Sequence, residues 1–97
     1  MSKTAYDFKG EVWRWTGDMG WHFVTLPSKL SEEIKKFGKR YGAGFIKVDV
    51  SVGESKWTTA LFPHKDSGGY LLSIKQNIRK KEGVWEGDII KVSITLK

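Results

Sequence analysis

The sequence predicts a mainly β fold, a small barrel of about six strands, closed or nearly so, with two short helices. Three observations lead there. Segments with period-two alternation, or rich in β-branched and aromatic residues, outnumber segments with helical spacing. Turn signals rich in Gly, Asp and Ser separate most neighbouring segments, which makes those neighbours hairpin partners. The chain has 97 residues with no internal repeat, linker or low-complexity stretch, so it reads as one domain, 1–97, with a single modest core. Closing the sheet on itself leaves such a domain few unpaired edges.

Residues 1–5 read as a loose N-terminus. From there Tyr6, Phe8, Gly10 and Val12 share one face, with Asp7, Lys9, Glu11 and Trp13 on the other, giving a first strand. The turn Thr16-Gly17-Asp18-Met19-Gly20 follows, then a second strand over residues 21–26, WHFVTL, which pairs back as a hairpin. His22 points away from Trp21 and Phe23 and is expected on the wet face. Pro27 breaks the strand and Ser28 is placed as the N-cap of a helix. Leu30, Ile34, Phe37 and Tyr41 form its apolar stripe, covering one face or end of the sheet. Lys35, Lys36, Lys39 and Arg40 come late, where the negative end of the helix dipole favours cations. Gly38, or at the latest Gly42 and Gly44, ends the helix.

The third strand is FIKVDVSV, residues 45–52, with a turn at Gly53-Glu54-Ser55. A fourth covers residues 56–62 and is stopped by Pro63. After a polar loop at 64–69, residues 70–73 make a short fifth strand and lead into a second helix. Ser73 and Gln76 have the spacing of a capping box. Ile74 and Ile78 share a helix face, Lys75, Arg79, Lys80 and Lys81 spread over the rest, and Gly83 supplies a left-handed stop. A turn at Glu86-Gly87-Asp88 precedes the last strand, where Ile90, Val92, Ile94 and Leu96 alternate with Lys91, Ser93, Thr95 and Lys97.

Composition excludes some chemistry. The chain has no Cys, so disulfides, thiolate metal sites and cysteine nucleophiles are ruled out. The first ten residues lack the apolar run of a signal peptide, and no stretch approaches the roughly 18 apolar residues of a membrane helix. A soluble cytoplasmic protein without membrane association is the expectation. Lys and Arg number 17 against 11 acids, for a formal net charge of +6, and such a surface attracts polyanions. The same cations also keep a small β protein soluble and blunt its sheet edges, and both readings stand.

Several spaced motifs carry a likeness: Gly20-Trp21-x-Phe23-x-x-Leu26-Pro27, then Trp57-Thr58-Thr59-Ala60-Leu61-Phe62-Pro63, then Tyr70-x-Leu72, then Ile74-Lys75-x-x-x-Arg79-Lys80-x-Glu82-Gly83, and last Gly87-Asp88. Over residues 8–96 the chain resembles a bacterial family defined only as a domain of unknown function. That resemblance implies a small double-split β-barrel with two short helices and no known activity. In some bacteria the domain is fused to, or found beside, a YdeI/OmpD-associated bacteriocin-protection domain, which makes a YdeI-like protein a candidate partner. Ser73 stands where the family usually has Pro, altering entry into the second helix. A narrower likeness covers only the C-terminal quarter, where a basic helix, Glu82-Gly83-Val84, Gly87-Asp88 and an alternating strand are similar to the swapped-hairpin half-barrel of AbrB-type DNA-binding regulators. It implies shared barrel geometry rather than shared DNA binding.

Two sets of residues are candidates for a working surface. Lys75, Arg79, Lys80 and Lys81 place four cations within seven residues, and Lys36, Lys39 and Arg40 join Lys35 on the first helix. If both helices lie on one side of the barrel these cations follow a phosphate backbone; otherwise they are solvated helix faces. The five Trp residues, 13, 15, 21, 57 and 85, are more than the core of a barrel this short readily holds, so one or two belong at a rim or mouth. Rim rings beside a cation make a ligand pocket, whereas inward burial would explain the same count. Trp15, Trp21 and Trp57 are the candidates, with Trp15 and Trp21 as the rim pair beside the Gly-rich turn. Neither His22 nor His64 has a second His or a Cys at ligand spacing, no G-x-S-x-G elbow occurs, and Glu11 is a lone strand carboxylate. No catalytic, metal or cofactor residue is therefore assigned. The expectation is a monomeric, non-enzymatic binding module for an anionic partner, nucleic acid first, with a small molecule or peptide at an aromatic barrel mouth as the alternative.

Overall fold

Two long strands that each change partners midway organise the barrel. The computed structural model describes residues 5–17, 20–38, 40–41 and 44–97, with only the backbone of Arg40 and Tyr41. The first long strand, β1 (Ala5–Arg14), pairs through residues 5–11 with the last strand, β7 (Ile89–Leu96), and through 12–14 with β2 (His22–Thr25). The second, β5 (Ser55–His64), pairs through 55–61 with β4 (Phe45–Val52) and through 62–64 with β6 (Gly69–Ser73). With β2 on β6 and β4 on β7, the antiparallel order β4-β5-β6-β2-β1-β7 returns to β4 and closes a six-stranded barrel. A two-residue strand, β3 (Arg40–Tyr41), is appended to the start of β4. Near the point where β1 changes partners, Gly10 is required because a Cβ there would collide with the Val24 side chain.

Period-two alternation fills the inside with branched aliphatics. Val12, Val24, Ile46, Val48, Leu61, Leu72, Val92 and Ile94 are fully buried. The helices α1 (Ser28–Phe37) and α2 (Gln76–Glu82) add Ile34 and Ile78 to that core. In α1 Ser31 is buried and its Oγ accepts a hydrogen bond from the Tyr70 amide at 3.3 Å. The Glu82 carboxylate at the end of α2 accepts from Ser55 Oγ at 2.5 Å and from the Glu54 amide at 3.4 Å, tying that helix to the β4–β5 turn.

Several boundaries differ from the sequence expectation, each for a physical reason. The capping box does not form. Ser73 is taken up by strand pairing opposite Phe23, so α2 starts at Gln76 with Lys75 as N-cap and no side-chain cap. Ser28 lies inside α1, whose N-cap is Pro27, since the sheet holds the chain as far as Leu26, whose amide bonds the Tyr70 carbonyl at 3.0 Å. Pro63 does not stop β5. Pairing with β4 ends at Leu61, so from Phe62 onward β5 has a partner on one side only, where a missing N–H is tolerated. Gly38 ends α1, leaving Tyr41 to β3 and Phe37 exposed, and the N-terminal strand already begins at Ala5, opposite Thr95.

Candidate functional site

On β2 the residues Phe23 and Val24 are both buried, although they point to opposite faces. Val24 faces the barrel interior, so Phe23 belongs to the outer wall. The register places Trp13, Phe23 and Ser73 in one outward row and Thr25, Leu71 and Phe62 in the next. Leu71 is as buried as Phe23, at 4% exposure, and its neighbour Leu72 fills the interior. This part of the wall is therefore covered from outside, and the cover is aromatic. Trp13 lies 5.3 Å from Phe23 between ring centres, with its Nε1 donating to Thr25 Oγ1 at 2.9 Å. The hairpin continues one step past the strands, where the Trp15 amide bonds the Trp21 carbonyl at 2.7 Å. Both indoles then meet Phe23 edge-on, at 6.2 and 6.1 Å. The left-handed backbone of Gly20 (φ 66°) aims Trp21 there, and His22 Nδ1 shares a 2.7 Å hydrogen bond with the Gly20 carbonyl. The row continues edge-on from Phe23 to Phe62 at 6.4 Å and from Phe62 to Phe45 at 5.3 Å.

Trp15 and Trp21 keep 44% and 49% of their surface in solvent, so the cover is itself a contact surface. Together with Phe62 and His64 they line a groove of about 410 Å³. Trp21 and Phe62 also form a wall of an adjoining cleft of about 290 Å³, whose other residues include His22, Lys75, Gln76 and Arg79. Arg79 Nη1 donates to the Ile74 carbonyl at 2.8 Å, which fixes the guanidinium at the edge of that cleft. Partial burial lowers its pKa from the ordinary value, and an Arg still carries its charge at neutral pH. A ring-lined groove thus opens directly into a cationic cleft.

Of the residues proposed from sequence, Trp15, Trp21, Lys75 and Arg79 come together here. Lys80 and Lys81 are exposed on α2 but do not line the cleft. Lys36 is exposed on α1, 5.5 Å above the Phe37 ring. Lys39 and the side chain of Arg40 lie outside the described residues. Trp57 pairs with Val50 and packs half-buried against the core, lining a different cleft with Asp49, Thr58 and Ser93, and its buried Nε1 has no partner. The groove is on the outer wall rather than at a barrel mouth, because aliphatic side chains already fill the interior. His22 is likewise half-buried in the cleft instead of on a wet face.

Sequence reasoning missed Phe23, Phe62 and Leu71 as the foundation of the site. The signal was present in the paired apolar steps Phe23-Val24, Leu61-Phe62 and Leu71-Leu72, the pattern of a strand apolar on both faces, although Ile89-Ile90 carries the same pattern and leaves Ile89 exposed. Among the described residues no group of three His, Cys, Asp or Glu could hold a metal ion, and no helix is long and apolar enough to cross a membrane. The sequence profile of a family described as a domain of unknown function (DUF1905) matches residues 8–94, a span that includes every residue of the groove and cleft. No match to a curated protein is found.

Proposed function

Because the chain belongs to the DUF1905 family, whose description assigns no activity, we propose a function from its surface: a monomeric, cytoplasmic, non-enzymatic module that binds single-stranded nucleic acid. Bases stack on Trp15 and Trp21, and phosphates meet Lys75 and Arg79. The observation that carries this reading is the shared wall, Trp21 and Phe62, between the aromatic groove and the cationic cleft. A nucleotide offers a flat ring joined to an anion, which is the pairing these two cavities present side by side. Each base stacked on an exposed ring contributes about 1–3 kcal/mol, and every base has a face to stack. In a duplex those faces are hidden, so the reading requires preference for single strands. The net charge of +6 adds a field that steers any polyanion toward the surface.

The test is titration of the purified protein with single-stranded and duplex oligonucleotides at roughly 50 and 200 mM salt, read by Trp fluorescence. Single strands should quench the emission and bind more tightly than duplex, with affinity falling as salt rises. Trp21→Ala should weaken binding about 5- to 150-fold, the equivalent of one lost stack. Lys75→Gln combined with Arg79→Gln should reduce the slope of log K against log salt by about 1.4. Equal binding of duplex and single strand would remove the stacking role, and no binding at low salt would overturn the proposal.

A further inference from the structure

Beyond its aromatic floor the groove has a second exit. Pro63 and His64, which line the groove, are also a wall of a third cleft of about 410 Å³, whose other lining residues include Lys35, Lys65, Gly68 and Gly69. Lys35 comes from the last turn of α1, and Lys65 opens the turn between β5 and β6. That turn is well braced. The Gly68 amide bonds the His64 carbonyl at 3.0 Å, His64 Nδ1 shares a 2.9 Å hydrogen bond with Ser67 Oγ, and Gly68 adopts the left-handed conformation (φ 72°) that lets the chain fold back.

Resting on the single-strand reading, we infer that Lys35 and Lys65 form a second phosphate subsite, so that the aromatic floor lies between two cationic ends and the ligand is a polymer. A small molecule with one ring and one anionic group is satisfied by the first cleft and one indole. A second cationic cleft that shares Pro63 and His64 with the ring-lined groove has a use only for a chain that repeats anion and ring. Folds that follow a single strand in this way cover about 4 nucleotides or more. The groove therefore spans several nucleotides, with one phosphate at Lys75 and Arg79 and another, further along the strand, at Lys35 and Lys65.

A length series from mononucleotide to octanucleotide, measured against salt, tests this. For the wild type, affinity should climb with length up to about 4 nucleotides and then level. Lys35→Gln combined with Lys65→Gln should reduce the octanucleotide salt slope by about 1.4 and leave mononucleotide binding unchanged. Lys65→Gln alone, in the turn and outside any helix, should reduce it by about 0.7, which keeps the test valid if the helical substitution disturbs α1. If the wild type binds oligonucleotides but both variants keep its slope at every length, the second subsite is wrong and the single-strand reading survives. If the wild type binds no oligonucleotide of any length, the single-strand reading fails and this inference fails with it.

Discussion

The wall formed by β5, β4, β7 and the first half of β1 faces outward with Lys56, Thr58, Asp49, Ser51, Ser93 and Asp7, whereas the wall formed by the second half of β1, β2, β6 and the end of β5 faces outward with Trp13, Phe23, Leu71 and Phe62. Both walls line the same interior, mostly with branched aliphatic residues, joined on the polar wall by Tyr6, Phe8 and Trp57. The polar wall satisfies its groups locally. Thr58 Oγ1 donates to Asp49 at 2.7 Å, Ser93 Oγ donates to Asp7 at 2.5 Å, and Lys97 pairs with Asp49 at 3.5 Å. Exposed pairs of this kind contribute about 0–1 kcal/mol each, so that wall affects stability little. The aromatic wall buries Phe23 and Leu71 outside the barrel, each with the weight of a core residue, about 1.5–3 kcal/mol. Having done so, it still leaves two indoles nearly half in solvent. The inner faces close the barrel in both places, and although Ile89 is also exposed on the polar wall, the rings of the other wall line one continuous groove, a surface that points to contact with something else.

The sharpest way to break the contrast is to truncate one residue on each wall. Phe23→Ala should cost about 3–5 kcal/mol in urea unfolding and remove the ring that Trp13, Trp15 and Trp21 all touch. Thr58→Ala on the polar wall should cost less than about 1 kcal/mol. Equal costs would mean that the aromatic wall is a surface coat with no packing role.

A smaller effect is expected where the two regions are joined. Glu82, at the end of the helix that Lys75 precedes as N-cap and that carries Arg79, holds the β4–β5 turn of the polar wall through Ser55 and Glu54. Glu82→Ala leaves the buried Ser55 hydroxyl without its acceptor, which should cost about 1–3 kcal/mol. Ser55→Ala removes the hydroxyl itself and should cost less. If the two variants cost the same, the Glu82 contact is not what holds the helix.

How much of this was legible follows from where the determining physics lies. Alternation in β7 and the first half of β1 announced their inner faces because each has one wet side there, and Gly83 announced the end of α2 through its left-handed backbone (φ 66°). The strand around Pro63 was misread because its tolerance depends on β4 having already ended, a fact about pairing that no local signal carries. The capping box failed similarly, Ser73 being claimed by a strand partner 50 residues away. For the site, Trp15 and Trp21 were legible from their place beside a Gly-rich turn. Trp57 was not separable from them, since the sequence does not show which wall of a closed sheet a residue faces until the register is known.

Cations offer a finer comparison, between those that line the cleft and those that merely sit on the same helix. Lys80→Gln combined with Lys81→Gln should reduce the salt slope of single-strand binding by less than the Lys75 and Arg79 pair does. An equal reduction would make the whole helix face the contact surface and take away the special standing of the cleft.

The smallest effect expected at neutral pH belongs to Tyr6, inside the barrel behind the polar wall. It lies across from Ile94, which pairs in turn with Val50. Burial first, then the negative charge of Glu33 and a hydrogen bond to its carboxylate, raise its pKa above the ordinary value of 10.0. As pH climbs past that value the unfolded chain releases this proton while the folded chain still holds it, so the folded state binds more protons and loses stability with rising pH. Below pH 10 the two states hold the proton alike and the group is silent. Tyr6→Phe should therefore differ from the wild type by no more than about 1 kcal/mol at pH 7 and gain on it above pH 10, measured as the gap between urea midpoints. Every other titrating group is common to the two proteins and cancels in the gap. Phe23→Ala, on the aromatic wall, changes no titrating group, so its gap from the wild type should stay constant over the same interval. A constant gap for Tyr6→Phe as well would mean that this hydroxyl ionises as easily folded as unfolded, and the inner side of the polar wall would then be open to water.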